Sequence, residues 1–171
     1  MEAIRALMAE VPDFPKPGIL FYDITPVLLD AAATTQVIDA LADKASALGA
    51  TKIAGMESRG FIFGVPLAMR MGLGFIPLRK PGKLPRETYR ASFEKEYGED
   101  VIEMHRDACG AGDRVLIVDD LLATGGTARA AGELVLSAGA EVAAFLFVVE
   151  LGFLKGRTQL QDRPIDSLLV Y

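Results

Sequence analysis

The sequence is poor in the residues that cross-link small folds through disulfides or bind structural metal ions. Its 171 residues include one cysteine, Cys109, one histidine, His105, and no tryptophan. A single cysteine excludes an internal disulfide, and the pair leaves no set of Cys and His ligands for a structural zinc site. We expect Cys109 to be a small packed or partly exposed residue, and His105 to be a surface residue and not a catalyst.

Positive charge and long apolar runs are also scarce. The formal net charge is −5, so the chain has no overall electrostatic attraction for nucleic acid and must bind anions locally. No uncharged apolar run of membrane-spanning length occurs, and the N-terminus lacks a basic region followed by an apolar core. Internal repeats are absent. These features predict one cytoplasmic domain, residues 1–171, with no membrane or nucleic-acid partner.

The most informative stretch lies near the middle of the chain. The apolar run Val115–Val118 predicts a buried parallel strand, because parallel strands are covered on both faces. Asp119 and Asp120 then leave the strand at its carboxyl end, where α/β sheets bind ligands. Ala123 and the turn Thr124–Thr127 follow, and a helix begins behind them. Such a turn can aim backbone N–H groups and hydroxyls at one point, which makes it a candidate phosphate cradle.

The acid pair and the cradle must serve different parts of one ligand. Carboxylates beside a phosphate would repel it, so Asp119 and Asp120 are candidates to bind ribose hydroxyls or a Mg²⁺ ion. The alternative is an ordinary strand-turn-helix junction with solvated acids, which would leave the glycines and threonines unexplained.

A second anion site is predicted where another strand ends. The pattern of Lys52–Glu57 indicates a short buried strand, and a turn separates it from a helix over Phe61–Met71. Ser58, Arg59 and the turn amides can bind phosphate oxygens, for which a planar guanidinium is suited. The alternative is an ion pair between Arg59 and Glu57.

Two further segments have the composition of a cover for the site. Residues 79–90 contain five basic residues and one acid, with prolines and a glycine, which is typical of a mobile basic loop. Residues 92–104 alternate around Gly98, so we expect a hairpin that can close over the site. The alternative for both segments is a solvated surface.

The remaining pattern predicts helices that alternate with apolar strands. Helices are expected over Glu2–Val11, ended by Pro12, over Thr34–Gly49, capped by Thr34 or Thr35, and over Ala128–Ala138, and strands over Leu73–Leu78, Glu141–Val149 and Ile165–Val170. This order predicts an α/β fold with a mostly parallel, doubly wound sheet.

Several of these motifs resemble those of a known family. The stretch from Val115 to Thr127 is similar to the phosphoribosyl pyrophosphate signature of the type I phosphoribosyltransferases. The segment Phe14–Pro26 resembles the N-terminal signature of the adenine-specific members. The turn Glu57–Phe61 resembles their pyrophosphate loop, and Glu96–Gly98 resembles their catalytic loop motif. The matches occur in the family's order and cover essentially the whole chain.

The resemblance implies a type I phosphoribosyltransferase fold with a small hood, from residues 1–30 and the C-terminal segment, and a flexible catalytic loop at 80–104. It implies the reaction of adenine with 5-phospho-α-D-ribose 1-diphosphate to give AMP and diphosphate. A homodimer is implied too. It also implies Mg²⁺, held mainly by the substrate, with Asp119 or Asp120 as candidates for contact through water, and a non-proline cis peptide in the turn after Glu57.

The resemblance further assigns roles to individual residues. It implies catalytic roles for Glu96, near the purine, and for Arg59. The remaining assignments are Asp119, Asp120, Ala123, Thr124, Gly125, Gly126 and Thr127 for ribose 5-phosphate, Ser58, Arg59, Arg79 and Lys80 for pyrophosphate, and Leu20, Phe21, Tyr22 and Leu151 for adenine.

One departure from the family pattern leaves alternatives open. Several relatives have arginine where this chain has Tyr22, so adenine selectivity depends on whether backbone or side chain reads the base. The alternatives are a transferase for another purine, or a regulator that binds phosphoribosyl pyrophosphate without catalysis. Competition among purine bases in one assay separates these possibilities.

Overall fold

A computed structural model describes residues 1–95, 98–160 and 163–171. The elements are α1 (Glu2–Leu7), β1 (Ala9–Pro12), β2 (Leu20–Asp23), α2 (Thr25–Leu29), α3 (Ala31–Ala45), β3 (Lys52–Met56), α4 (Arg59–Met71), β4 (Gly74–Leu78), β5 (Thr88–Lys95), β6 (Gly98–His105), β7 (Arg114–Leu122), α5 (Gly126–Ser137), β8 (Glu141–Glu150) and β9 (Ile165–Val170). Two short 3₁₀ helices, Gly152–Leu154 and Gly156–Leu160, precede β9.

Five parallel strands form the central sheet in the order β4-β3-β7-β8-β9. The run Val115–Val118 in β7 is completely buried, as its composition predicts. Helix α4 connects β3 to β4 and α5 connects β7 to β8, in opposite directions along the sheet, so right-handed crossovers place them on opposite faces. The predicted α/β class and doubly wound sheet are therefore confirmed.

The sheet divides the apolar core into two clusters. Alternate residues of β7 point to opposite faces, so Ile117 packs in the cluster that contains α5, and Leu116 in the cluster with α3 and α4. Cys109 is buried in the first cluster. None of the helices in the described ranges has both the length and the apolar character needed to cross a bilayer.

The predicted hairpin is confirmed as the antiparallel pair β5 and β6, whose register runs from Thr88 opposite His105 to Lys95 opposite Gly98. The hairpin packs on α5. Its inner face belongs to the core, with Ala91, Phe93 and Ile102 each 9% exposed or less. The predicted loop 79–90 is shorter than expected, because Thr88 to Arg90 already belong to β5.

The N-terminal segment differs from its prediction. The helix expected over Glu2–Val11 ends at Leu7, and Val11 lies in β1, paired with Phe21 of β2. A residue before proline is sterically driven to an extended conformation, so Pro12 acts on Val11 and not only on itself. Strands β1 and β2 form the hood's own small sheet.

The helix predicted over Thr34–Gly49 was placed too late in the chain. Helix α3 begins at Ala31, and Asp30 is its N-cap, because its carboxylate accepts hydrogen bonds from the amides of Ala32 and Ala33. Thr34 and Thr35 lie inside the helix, where their hydroxyls donate to backbone carbonyls. The short helix α2 that precedes it is absent from the sequence prediction.

Candidate active site

A cleft of about 480 Å³ opens at the carboxyl ends of β3 and β7. Its lining comes from three segments that are distant in sequence, namely the end of β3 with the turn into α4, the end of β7 with the loop into α5, and Phe147 of β8. Of the predicted site residues, Ser58, Arg59, Asp119, Asp120, Ala123, Thr124, Gly125 and Thr127 line this cleft. The fold therefore joins the predicted acid pair, cradle and second anion turn into one site.

The acid pair lies within β7, and not beyond it as the sequence suggested. Strand β7 continues to Leu122 because β8 pairs with it to the end, whereas pairing with β3 stops at Val118. Asp119 and Asp120 thus occupy the part of the strand where one neighbour has ended. Loss of that neighbour opens the edge of the sheet to a ligand.

Burial dominates the electrostatics of this pair. Burial raises the pKa of Asp119 well above its ordinary range, and the adjacent charge of Asp120 raises it further. Burial also raises the pKa of Asp120, but the guanidinium of Arg59 opposes that shift. Two adjacent carboxyls, one of them buried, beside a single cation thus disfavour ionisation of both groups together.

Arg59 links the second turn to the acid pair. Its Nε lies 2.8 Å from Oδ2 of Asp120, and its side chain remains 47% exposed beside the cleft. The alternative ion pair with Glu57 is not formed, because Glu57 instead accepts from Nε of Arg79 at 3.1 Å. Arg59 thus borders both the carboxylates and any anion bound at the turn.

The turn after β3 approaches β7 very closely. A methyl group on Gly60 would lie 2.9 Å from the Val118 carbonyl oxygen and 3.1 Å from Oδ1 of Asp119, so only glycine fits there without a shift. The peptide between Glu57 and Ser58 is cis, as the resemblance implied. Ser58 is exposed and begins α4 as its N-cap residue.

The predicted cradle is built on a left-handed glycine. Gly125 has φ of 89° and is the N-cap of α5, which begins at Gly126. The first amides of a helix have no partner within it, so they are free to bind an anion. Thr124, Gly125 and Thr127 line the cleft, whereas Gly126 faces a second depression behind the loop.

The two basic residues expected to contact pyrophosphate lie at the rim and do not line the cleft. Both are attached to Glu57, which does line it: Arg79 by its side chain, and Lys80 by its backbone N–H at 3.0 Å. These bonds lower the pKa of Glu57, that from the Lys80 amide most of all. Sequence reasoning placed Glu57 in the turn but missed its contacts with Arg79 and Lys80, because these partners are more than twenty positions away.

The four residues assigned to adenine belong to the hood and its neighbourhood. Phe21 makes an edge-to-face contact with Phe14, with 5.1 Å between ring centroids, and Leu20 is exposed. Leu151 donates its N–H to the Leu122 carbonyl at the end of β7. The ring of Tyr22 lies against Tyr171, 3.9 Å between centroids, so its side chain is engaged within the hood.

Glu96 lies outside the described residues, so its predicted role stays a prediction. His105 is half-buried, not superficial, at the end of β6, and it does not line the cleft. Apolar lining residues that sequence reasoning missed are Met56, Leu121, Leu122, Ala128 and Phe147.

The arrangement has the chemistry of a site for an anionic sugar. The cleft combines two turns at helix N-termini, whose amides can bind anions, with the carboxyl groups of Asp119 and Asp120, which can accept hydrogen bonds from hydroxyls. Within the described ranges no group of three or more His, Cys, Asp or Glu side chains could hold a metal ion alone. A divalent cation here would need ligands from the bound molecule.

Comparison with known proteins gives a consistent result. A family model described as "Phosphoribosyl transferase domain" matches residues 27–166. The chain is similar to an adenine phosphoribosyltransferase of Thermosynechococcus vestitus, with 56% identity over 98% of this chain and 99% of that protein. It is also similar to one of Methylococcus capsulatus, with 55% identity over the full length of both chains.

Solved structures resemble the whole chain. A crystal structure of adenine phosphoribosyltransferase from Thermoanaerobacter pseudethanolicus has a TM-score of 0.97 and 52% identity, covering 99% of both chains. The enzyme from Saccharomyces cerevisiae, complexed with an imino-altritol bisphosphate and adenine, has a TM-score of 0.93 and 44% identity, covering 98% of this chain and 97% of that one.

Proposed function

Because this chain belongs to the phosphoribosyl transferase family, and within it to the adenine phosphoribosyltransferases, we propose that it converts adenine and 5-phospho-α-D-ribose 1-diphosphate to AMP and diphosphate, a purine salvage reaction. The observation that carries this proposal is the single cleft in which the acid pair lies between the loop 123–127 and the turn at Ser58 and Arg59. One ligand with a phosphate at each end and hydroxyls between them matches that order.

The loop 123–127 would hold the 5′-phosphate, remote from the reacting carbon. Charge-assisted hydrogen bonds from the loop amides and the hydroxyls of Thr124 and Thr127 would supply the affinity. Because this phosphate does not change during the reaction, its binding energy serves to position the sugar.

Asp119 and Asp120 would accept hydrogen bonds from the ribose hydroxyls. As the bond from C1′ to pyrophosphate stretches, positive charge develops on the sugar, and nearby carboxylates stabilise it. Arg59 would take the negative charge of the leaving pyrophosphate. Its contact with Asp120 supports a position for the guanidinium between the sugar and the leaving group.

Mg²⁺ fits this site as a substrate-bound ion. Magnesium is usually held by one or two carboxylates together with substrate phosphates, and the cleft offers those of Asp119 and Asp120. Asp119 or Asp120 would contact it through water. When bound, the ion would neutralise charge on the pyrophosphate.

The hood would form the base pocket, with Phe21 and Leu151 on the two faces of the purine. The side chain of Tyr22 stacks on Tyr171, which supports recognition of adenine by backbone groups of β2 and not by this side chain. Glu96, which connects β5 and β6 in sequence, would remove the purine proton as N9 attacks. Arg79 and Lys80, anchored on Glu57, would contact pyrophosphate from the rim.

We further propose a homodimer formed through the outer face of α4. Ile62, Val65 and Met69 lie on that face at helical spacing and are 40%, 39% and 78% exposed. Since α4 begins at Arg59, a partner on this face would lie near the site. We also propose a cytoplasmic location, where a buried free thiol such as Cys109 stays reduced.

A base competition assay tests the proposal. Adenine, hypoxanthine, guanine and xanthine would be offered together with phosphoribosyl pyrophosphate and Mg²⁺, and the nucleotide products separated. We expect AMP as the main product. Another nucleotide would identify a different purine transferase, and binding of phosphoribosyl pyrophosphate without turnover would identify a regulator.

A further inference from the structure

The loop that would bind the 5′-phosphate rests on a residue from a distant part of the chain. A methyl group on Gly156 would lie 2.2 Å from the Ala123 carbonyl oxygen and 3.0 Å from Cδ1 of Leu122. A methyl group on Gly125 would in turn lie 2.4 Å from the Gly156 carbonyl oxygen. The two backbones are therefore in direct contact, with no side chain between them.

The surroundings leave this contact little room to relax. Leu122 is 1% exposed and Gly156 is itself buried, so neither can move into solvent. Leu160, at the other end of the same 3₁₀ helix, is 3% exposed and packs in the core cluster of α5. Gly156 is thus held by the core on one side and packs against the loop 123–127 on the other.

An ion pair with a buried carboxylate fixes the neighbouring residue, Arg157. Arg157 donates from Nε and from one terminal nitrogen to the two carboxylate oxygens of Glu150, both at 2.7 Å, and from the other terminal nitrogen to the Ile165 carbonyl at 3.0 Å. Ser167 donates its hydroxyl to the same carboxylate at 2.7 Å. Glu150 is only 5% exposed, whereas the Arg157 side chain is 45% exposed, so the carboxylate end of this network is shielded from competing water.

The same network is connected to the strand that delivers the loop. Glu150 is the last residue of β8 and lies opposite Leu122, the last residue of β7, directly before Ala123. The 3₁₀ helix and the phosphate loop are consequently fixed to adjacent strand ends. A shift of Gly156 would therefore displace the loop, because the backbone of Gly156 packs directly against Ala123 and Gly125.

We propose that Gly156 is a positioning residue for the 5′-phosphate, and that the Glu150–Arg157 pair fixes it in place. The proposal rests on the proposed function, since the ligand is the 5′-phosphate end of the sugar. Gly156 does not touch the ligand. It determines the position and orientation of the loop amides that would bind the phosphate.

Binding measurements with two half-ligands test this role. Ribose 5-phosphate probes the loop 123–127, and inorganic pyrophosphate with Mg²⁺ probes the turn at Ser58 and Arg59. In Gly156→Ala, calorimetry should give an affinity for ribose 5-phosphate that is lower by roughly tenfold or more, the order expected when charge-assisted hydrogen bonds are misaligned. Affinity for pyrophosphate should stay within about twofold.

Two further variants make the test decisive. Gly74→Ala is the matched control, because Gly74 has no atom within 4 Å of the added methyl group, and both its affinities should equal those of the wild type. Arg157→Lys keeps the positive charge but loses the bidentate contact with Glu150. It should weaken the binding of ribose 5-phosphate but not of pyrophosphate, and by less than Gly156→Ala does. If Gly156→Ala does not fold, Arg157→Lys tests the same positioning role.

The measurements distinguish failure of the positioning role from failure of the proposed function. Unchanged ribose 5-phosphate affinity in folded Gly156→Ala or Arg157→Lys, or equal losses for both half-ligands, would overturn the positioning role. A wild-type protein that binds neither half-ligand would instead overturn the proposed function, and with it the role of Gly156.

Discussion

At the scale of single residues, the charge of the acid pair is proposed to serve substrate binding, and the same charge lowers the stability of the folded protein. The pKa of Asp119 is raised in the folded protein, so the folded state holds this proton to a higher pH than the unfolded chain does. The free energy of unfolding therefore falls as pH rises from the ordinary value of 3.8 through the raised folded pKa, and stays lowered above it.

This sign leads to a prediction for Asp119→Asn. The variant should melt at the same temperature as the wild type or higher at pH 8, because a buried charge is removed. Its turnover should fall by roughly 10- to 100-fold, since a charged hydrogen-bond acceptor for the sugar is lost. Thermal melting and steady-state kinetics at pH 8 measure both quantities.

Asp113→Asn is the control for that variant. The pKa of Asp113 is lowered, mainly by the hydrogen bond from Lys52, and its side chain lies away from the cleft. Stability from Asp113 is present above its ordinary pKa, so this variant should lose stability and keep turnover. If Asp119→Asn behaved in the same way, Asp119 would be a residue of the fold and not of the site.

The residue scale also limits what the sequence could predict. Asp119, Asp120, Thr124, Gly125 and Thr127 were predicted because they are adjacent in sequence and their chemistry is local. The contacts of Glu57 with Arg79, of Tyr22 with Tyr171 and of Gly125 with Gly156 join distant positions. No periodicity or motif records such contacts, because they arise only when separate strand ends meet.

At the scale of elements, the hood depends on a contact between β2 and the end of the chain. Tyr171 stacks on Tyr22, and its backbone N–H and carbonyl bond to Glu150 and Gly152, on either side of Leu151. One residue therefore connects both walls of the proposed base pocket. Disturbing it should alter the separation of these walls.

We accordingly predict that Tyr171→Ala raises the KM for adenine. The loss of an aromatic pair is worth about 0.5–1.5 kcal/mol, so the increase should be roughly 3- to 10-fold. The KM for phosphoribosyl pyrophosphate should not change, because the loop 123–127 lies outside the hood. Tyr22→Phe retains the ring contact and should match the wild type, and an equal rise in both KM values would count against a specific effect on the base pocket.

The hairpin permits a further prediction. If Glu96 transfers the purine proton, Glu96→Gln should lower turnover by roughly 10²- to 10⁴-fold, the usual span for one acid or base. Affinity for phosphoribosyl pyrophosphate should be nearly unchanged in calorimetry. Glu99→Gln, at an exposed position of β6, is the matched control. Equal effects at both positions would mean that only the charge of the hairpin matters.

Among the elements, the five central strands, the hairpin and the start of α1 were predictable, and the starts of α3, α4 and α5 were not. Apolar runs identify buried strands directly. The start of α3 was misplaced because three alanines after Asp30 carry no amphipathic signal. The end of β7 was misplaced because acids in a strand resemble a strand terminus until pairing with β8 is known.

At the scale of the whole molecule, α4 joins the site to the proposed dimer. Substituting Val65→Lys with Met69→Lys places two charges on the proposed interface, where desolvating them would be costly. We expect the double variant to be a folded monomer in analytical ultracentrifugation at concentrations where the wild type is a dimer.

Leu136→Lys provides the control for the interface. Leu136 is 48% exposed on α5, on the opposite face of the sheet, and its substitution should leave the oligomeric state unchanged. A monomeric wild type, or dimers in all three proteins, would exclude the α4 interface.

The burial of the hairpin's inner face sets a mechanical limit on how the site can close. Lifting the entire hairpin off α5 would expose Phe93, Ile102 and Met104, which are 5%, 5% and 0% exposed. At about 1.5–3 kcal/mol for each large apolar side chain, that motion would consume much of the roughly 5–15 kcal/mol that keeps a domain folded. A closing movement that lifts the paired part of the hairpin as a whole would therefore cost a large share of the protein's stability.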